Sequence, residues 1–159
     1  MGNRWIRQRN GTTCGPIAIM NLLKWLGRPI TYHKDYKYYK KKCRCKEYGT
    51  ELSDFVSVLY GIEGIKISPR TVPNIGVIDE AISQGRAVVM KSALIEGGEI
   101  LGHYFIVTER TDKSFFCVNV NNKHSWISKP AFRNQYLQHH AHYCYLCGIA
   151  PYCWIIRAE

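Results

Sequence analysis

In the first half of the chain apolar residues recur with the period of a helix. In the second half they gather into short runs rich in β-branched and aromatic residues. Between Cys14 and Gly27, Ile19, Leu22, Leu23 and Leu26 fall at i, i+3, i+4 and i+7. Ile17, Ala18, Met20 and Trp25 widen that stripe until only Asn21, Lys24 and Arg28 remain polar. The pattern predicts a helix buried on most sides. Thr12 or Thr13 is placed to cap its start, Pro16 suits its first turn and Gly27 its end. A second helix is expected near 50–60, on Leu52, Phe55, Val56 and Leu59 before Gly61. A third, near 75–84, uses Ile75, Ile78 and Ile82 and stops at Gly85.

The runs RAVVMKSALI (86–95), GHYFIVTER (102–110) and SFFCVNV (114–120) predict strands. Gly97-Gly98 separates the first pair and Thr111-Asp112-Lys113 the second, so both connections read as antiparallel. Ser128-Lys129-Pro130 opens a short helix to about 138, and CWIIR (153–157) is a last strand. Helices first and an antiparallel sheet second place the chain in the α+β class.

Composition changes this picture in one place. Residues 32–49, YHKDYKYYKKKCRCKEYG, carry seven Lys or Arg among aromatics, opposed only by Asp35 and Glu47. That segment reads as a basic surface excursion. Elsewhere the chain is ordinary: 159 residues, 46% hydrophobic and 21% charged, enough for one domain over 1–159 with a real core. The net charge of +10 speaks to partners and solubility, not to fold. No apolar run reaches the ~20 residues of a membrane span, and MGNRWIRQRNGTTCG has no secretory h-region. Ile6 stands where a myristoylation motif needs Ser or Thr. Seven cysteines, an odd count without an export signal, read as reduced thiols, so a cytoplasmic protein is expected.

One of those thiols stands where chemistry is favoured. Cys14 sits at the junction of a loop and a buried helix, where backbone N–H groups and the helix dipole favour thiolate. Gly15 beside it lets a substrate backbone approach without a Cβ in the way. Gln8, six residues earlier, has a side-chain amide able to complete an oxyanion hole with the cysteine's backbone N–H. His103 opens an apolar strand and can take the thiol proton, then return it to a leaving amine. Sixteen residues on, Asn119 can accept from the imidazole and hold its tautomer, and strand alternation puts Asn121 on the same face. Taken one at a time, these are a core cysteine, a surface-arm glutamine and a satisfied core histidine. Taken in order, they make a catalytic set.

With QRNGTTCGPIAIMNLL, GHYFIVTER and FFCVNVNNKHSW the chain resembles the papain-like cysteine peptidases. The likeness is to the compact bacteriocin-processing type, the double-glycine-leader peptidases of cysteine peptidase family thirty-nine. The order Gln, Cys, His, Asn/Asp matches, as does the Gln-to-Cys spacing. Where that family commonly has Asp-Pro, this chain has Asn119-Val120, so the third member is Asn119 or Asn121. The resemblance implies a papain-like fold, a helical part carrying Cys14, a sheet carrying His103 and a cleft between them. It implies a free-standing enzyme that hydrolyses a peptide or isopeptide amide through an acyl-enzyme, without a cofactor, at a Gly-Gly or other small-residue site. The family also includes deamidases, acyltransferases and inactive modules.

Two other readings compete. Cys43-x-Cys45, Cys144-x-x-Cys147 and Cys153, with His139, His140 and His142 nearby, offer zinc ligands. If the segments met, four thiolates would close a tetrahedral site, but nothing in the sequence joins them, and no required metal is expected. The stretch from Tyr36 to Arg44 mixes lysines with tyrosines, as a nucleic-acid surface does, yet no named nucleic-acid module appears. Cys117 is expected simply to pack.

Overall fold

Ala87-Val88-Val89-Met90 and Tyr104-Phe105-Ile106-Val107 show no polar alternation because both faces of these strands are covered. In the computed structural model, which describes residues 5–96, 99–138 and 151–159, they form the middle of a six-stranded antiparallel sheet. Its strands are β1 (Ile65–Ile67), β2 (Ala87–Glu96), β3 (Glu99–Arg110), β4 (Ser114–Val118), β5 (Ser125–Ser128) and β6 (Tyr152–Ala158). They lie in the order β1-β6-β2-β3-β4-β5.

One face of the sheet, with Ala87, Val89, Tyr104, Ile106, Val118, Trp154 and Ile156, packs on α1 (Cys14–Trp25) and α3 (Leu52–Tyr60). The other, with Val88, Met90, Phe105, Val107, Phe115 and Cys117, packs on α4 (Ile75–Ser83) and α5 (Lys129–Phe132). A π-helical segment, Arg133–Gln138, continues α5, and its Tyr136 joins that second cluster. Helices and an antiparallel sheet make this an α+β fold. Cys117 is fully buried among apolar neighbours, a packing residue as its sequence position suggested.

The structure departs from the sequence pattern in four places. The basic excursion is a helix, α2 (Tyr32–Lys42), none of whose residues is buried. The β2–β3 ladder runs on to Glu96↔Glu99, so β3 starts three residues before Gly102 and only residues 97 and 98 join the two strands. β1 and β5 are edge strands of three and four residues, too short to show a period. Neither expected threonine caps α1. Thr13 is the N-cap residue but makes no capping hydrogen bond, and the Thr12 hydroxyl donates to Asn10 instead.

Candidate active site

Cys14 is the first residue of α1, the helix laid across β3. The backbone of Tyr104 and of Gly15 lies by its sulfur and favours the thiolate, so the thiol rests against β3 one residue beyond His103. Burial wins, however, and pushes the thiol up to about 11. At rest Cys14 is therefore a thiol.

His103 supplies the ring. Its Nε2 lies 2.8 Å from the backbone carbonyl oxygen of Asn119. A carbonyl only accepts, so Nε2 carries the proton and donates it, and in the neutral ring the basic nitrogen is Nδ1. The ring also stacks on Phe105, with centroids 5.9 Å apart. Asn119 and Asn121 do not share the face of a strand. β4 ends at Val118, and Asn119 takes φ +57°, a left-handed turn that breaks the alternation. Asn119 is 1% exposed and Asn121 is exposed. The turn aims the Asn119 carbonyl at His103 and its side chain elsewhere. Imidazole and amide do not meet in the way the sequence suggested.

The Asn119 side chain holds Gln8. Asn119 Nδ2 donates to Gln8 Oε1 at 2.8 Å, and the Gln8 backbone N–H donates to Asn119 Oδ1 at 3.1 Å. Gln8 Nε2 donates to the Asn10 carbonyl at 2.7 Å. The amide thus sits in a fixed frame with one of its two N–H groups engaged. Gln8, Cys14, His103 and Asn119 are each no more than 9% exposed. The structure links Gln8 to Asn119 and Asn119 to His103 by hydrogen bonds, and sets Cys14 on the neighbouring residue of β3.

Three residues that the sequence did not single out shape this arrangement. Asn21, on the supposed polar face of α1, is fully buried. It accepts from Ile6 N at 2.7 Å and donates to Ile6 O at 2.9 Å, pinning the arm that carries Gln8. A single Asn in an apolar helix was the signal available. His124 Nδ1 accepts from Asn119 N at 3.0 Å and fixes the left-handed turn, while burial lowers its pKa. Thr50 fills the space beside Gly15: a Cβ there would stand 2.7 Å from Thr50 Oγ1. The glycine therefore makes room for a side chain of its own chain.

Among the described residues no three His, Cys, Asp or Glu gather at a metal-binding distance. Cys43 is buried with its thiol pushed up to about 12, and Cys45 Sγ lies 3.1 Å from the Thr12 carbonyl. Cys153 is buried in β6. Cys144, Cys147, His139, His140 and His142 lie outside the described residues. No helix among the described residues is long and apolar enough to cross a membrane.

No family model and no curated protein matches the chain. Solved structures do. The peptidase domain of Streptococcus ComA, a bifunctional ABC transporter involved in quorum sensing, superposes with a TM-score of 0.67 at 13% identity, covering 94% of this chain and 95% of that one. A double glycine motif protease from an AMS/PCAT transporter, solved with its leader peptide, gives 0.61 at 9% identity over 97% and 90%. A protein described as a C39-like peptidase from Bacillus anthracis gives 0.62 at 10% over 98% and 95%. The chain has the fold of these C39 peptidase domains.

Proposed function

We propose that the protein is a cysteine peptidase, hydrolysing a peptide or isopeptide amide through a thioester acyl-enzyme. The observation that carries this reading is the 2.8 Å contact between His103 Nε2 and the Asn119 carbonyl, with the helix-start Cys14 against the backbone of the next residue of β3, Tyr104. It leaves Nδ1 as the base. A fold shared with peptidase domains adds to that reading.

In the reaction, Nδ1 of His103 takes the Cys14 proton as the sulfur attacks the substrate carbonyl carbon. A C–S bond forms, and the C=O π pair moves onto oxygen. The buried thiol gains its charge only as the imidazolium forms beside it, and the Asn119 carbonyl stabilises that cation through Nε2–H. The oxyanion is met by the Cys14 backbone N–H and the second N–H of Gln8. Collapse breaks the C–N bond, and the imidazolium proton leaves with the amine. A water deprotonated by His103 then attacks the thioester, releasing the acid and returning the thiol. Asn119 is a positioning residue with two tasks: its carbonyl orients the base and its side chain holds the oxyanion donor.

The test is turnover on a peptide library that includes Gly-Gly sites, for which the double glycine motif neighbour gives a reason. Wild type should cleave and acylate Cys14, and His103→Ala should do neither while keeping its fold. Cleavage that survives His103→Ala overturns the assignment. So does a protein that is folded but inert to every peptide and to thiol-directed acyl probes.

A further inference from the structure

The arm that delivers Gln8 also forms one wall of an open groove of about 730 Å³, lined by Trp5, Arg7, Gln8, Arg9, Tyr32 and Asn122. Arg7 and Arg9 are exposed there, and Arg7 Nε donates to the Asn122 carbonyl at 3.0 Å. At the groove's edge the Arg9 guanidinium lies over the Tyr32 ring, 4.2 Å from its centroid. Tyr32 stacks on Tyr36 at 5.5 Å with the rings 9° from parallel, and Lys40 Nζ sits 5.9 Å from the Tyr36 centroid. Residues 32, 36 and 40 are successive i+4 positions, so they form one line along α2. An unbroken ladder of cation, ring, ring and cation therefore runs from beside Gln8 along the helix.

These cations have not been neutralised from within. Among the described residues no carboxylate lies within 4.0 Å of Arg7, Arg9, Lys37, Lys40 or Lys41. The lone acid of α2, Asp35, accepts from Thr31 N at 2.7 Å at the helix start. α2 buries none of its residues fully, and its lysines lie exposed on the surface while Tyr39 packs toward the core.

Resting on the peptidase reading, we infer that this groove and ladder bind an acidic stretch of the peptide substrate, outside the bond that is cut. Carboxylates suit the site because guanidinium and ammonium groups offer N–H donors at their edges while their faces rest on the rings. A substrate chain leaving the Gln8 side of the site enters the groove directly. Nucleic acid suits it less well. Stacking needs ring faces for bases, and Tyr32 and Tyr36 are already engaged with each other and with Arg9 and Lys40.

The test measures binding without turnover, in the full chain carrying Cys14→Ala. Fluorescein-labelled hexaglutamate, a neutral Gly-Ser hexapeptide and oligouridylate are titrated by anisotropy. Hexaglutamate should bind at least about tenfold tighter than the neutral peptide, and weaken steeply from about 50 to about 300 mM NaCl. Arg9→Glu with Lys40→Glu should cost about tenfold. Lys66→Glu with Lys113→Glu, an equal charge change elsewhere on the surface, should cost less than about twofold. Equal binding of the acidic and neutral peptides, equal loss in the two double variants, or displacement of hexaglutamate by less oligouridylate than hexaglutamate itself would overturn the inference. If the first double variant fails to fold, the wild-type probe and salt comparison still decides. Because no step involves cleavage, hexaglutamate can bind a protein that never cuts, or fail to bind one that does. The two readings therefore fall separately.

Discussion

Gln8 and Asn119, 111 positions apart in sequence, grip each other through two hydrogen bonds, one from the Gln8 backbone N–H and one from the Asn119 amide. The same Asn119 presents its carbonyl to His103. One residue thus ties the proposed oxyanion donor to the proposed base, using its side chain for one and its backbone for the other.

That division of labour predicts an unusual kinetic result. Asn119→Gly keeps both the carbonyl and the positive φ but deletes the grip on Gln8. It should lower kcat by about 10²–10³-fold, close to Gln8→Ala, because both remove one oxyanion donor. The double variant should be no worse than either single one, since the two act as a unit. Additive losses in single-turnover kinetics would show that Asn119 orients His103 through its side chain after all.

The Cys14 thiol is pushed up by burial to about 11, so without an imidazole partner its thiolate is scarce at neutral pH. A raised pKa means that the reactive form grows as pH rises. In His103→Ala the iodoacetamide rate at Cys14 should climb about tenfold per pH unit up to about 11. In wild type it should level off several units lower and exceed the rate at buried Cys117. Peptide mapping across pH reads both, and coincident profiles would remove His103 from the mechanism.

Asn21 is fully buried and satisfied by the backbone of Ile6. Asn21→Ala strands both groups of Ile6 and should cost about 1–3 kcal/mol in denaturant unfolding. It should also open the arm to protease before the core unfolds, with loss of turnover through Gln8.

At Gly15 a methyl group would meet Thr50 at 2.7 Å from Oγ1 and 2.9 Å from Cβ. Gly15→Ala should therefore destabilise by about 1–3 kcal/mol through overpacking. Adding Thr50→Gly, which removes both clashing atoms, should recover part of the loss in thermal melting. No recovery would mean that the glycine serves the substrate instead.

No metal is required by the proposed chemistry. Chelation with EDTA or phenanthroline should leave both melting temperature and turnover unchanged. One stoichiometric zinc by elemental analysis, with unfolding on its removal, would bring back the zinc site of Cys43, Cys45, Cys144 and Cys147 and leave the Cys14 reaction untouched.

Much of this was legible in the sequence because it rests on local periodicity. The 3.6-residue stripe over Ile19, Leu22, Leu23 and Leu26 and the apolar runs around Val88 and Phe105 are strong signals, and the structure forms the helix and strands there. β1 and β5 carried no such signal, since three or four residues at a sheet edge hold too few side chains to show alternation. The turn at Asn119 was hidden for another reason. An asparagine reads as a strand residue or as a left-handed one depending on contacts such as His124, which local pattern does not encode. The burial of Cys14 was not legible because a helix start favours charge locally, whereas desolvation depends on how much of the chain covers the sulfur.

Helix α2 contributes no buried side chain, yet it carries the densest charge in the chain. On the inferred reading, much of the recognition surface is therefore written on an element that folding constrains little. Its exposed lysines are open to exchange at little thermodynamic risk, by drift or by design, while the sheet, the Cys14 helix and Tyr39, which packs on the core, stay as they are. Retargeting the proposed peptidase to a different sequence should accordingly be a matter of repainting the exposed face of one helix and leaving the proposed catalytic residues as they are.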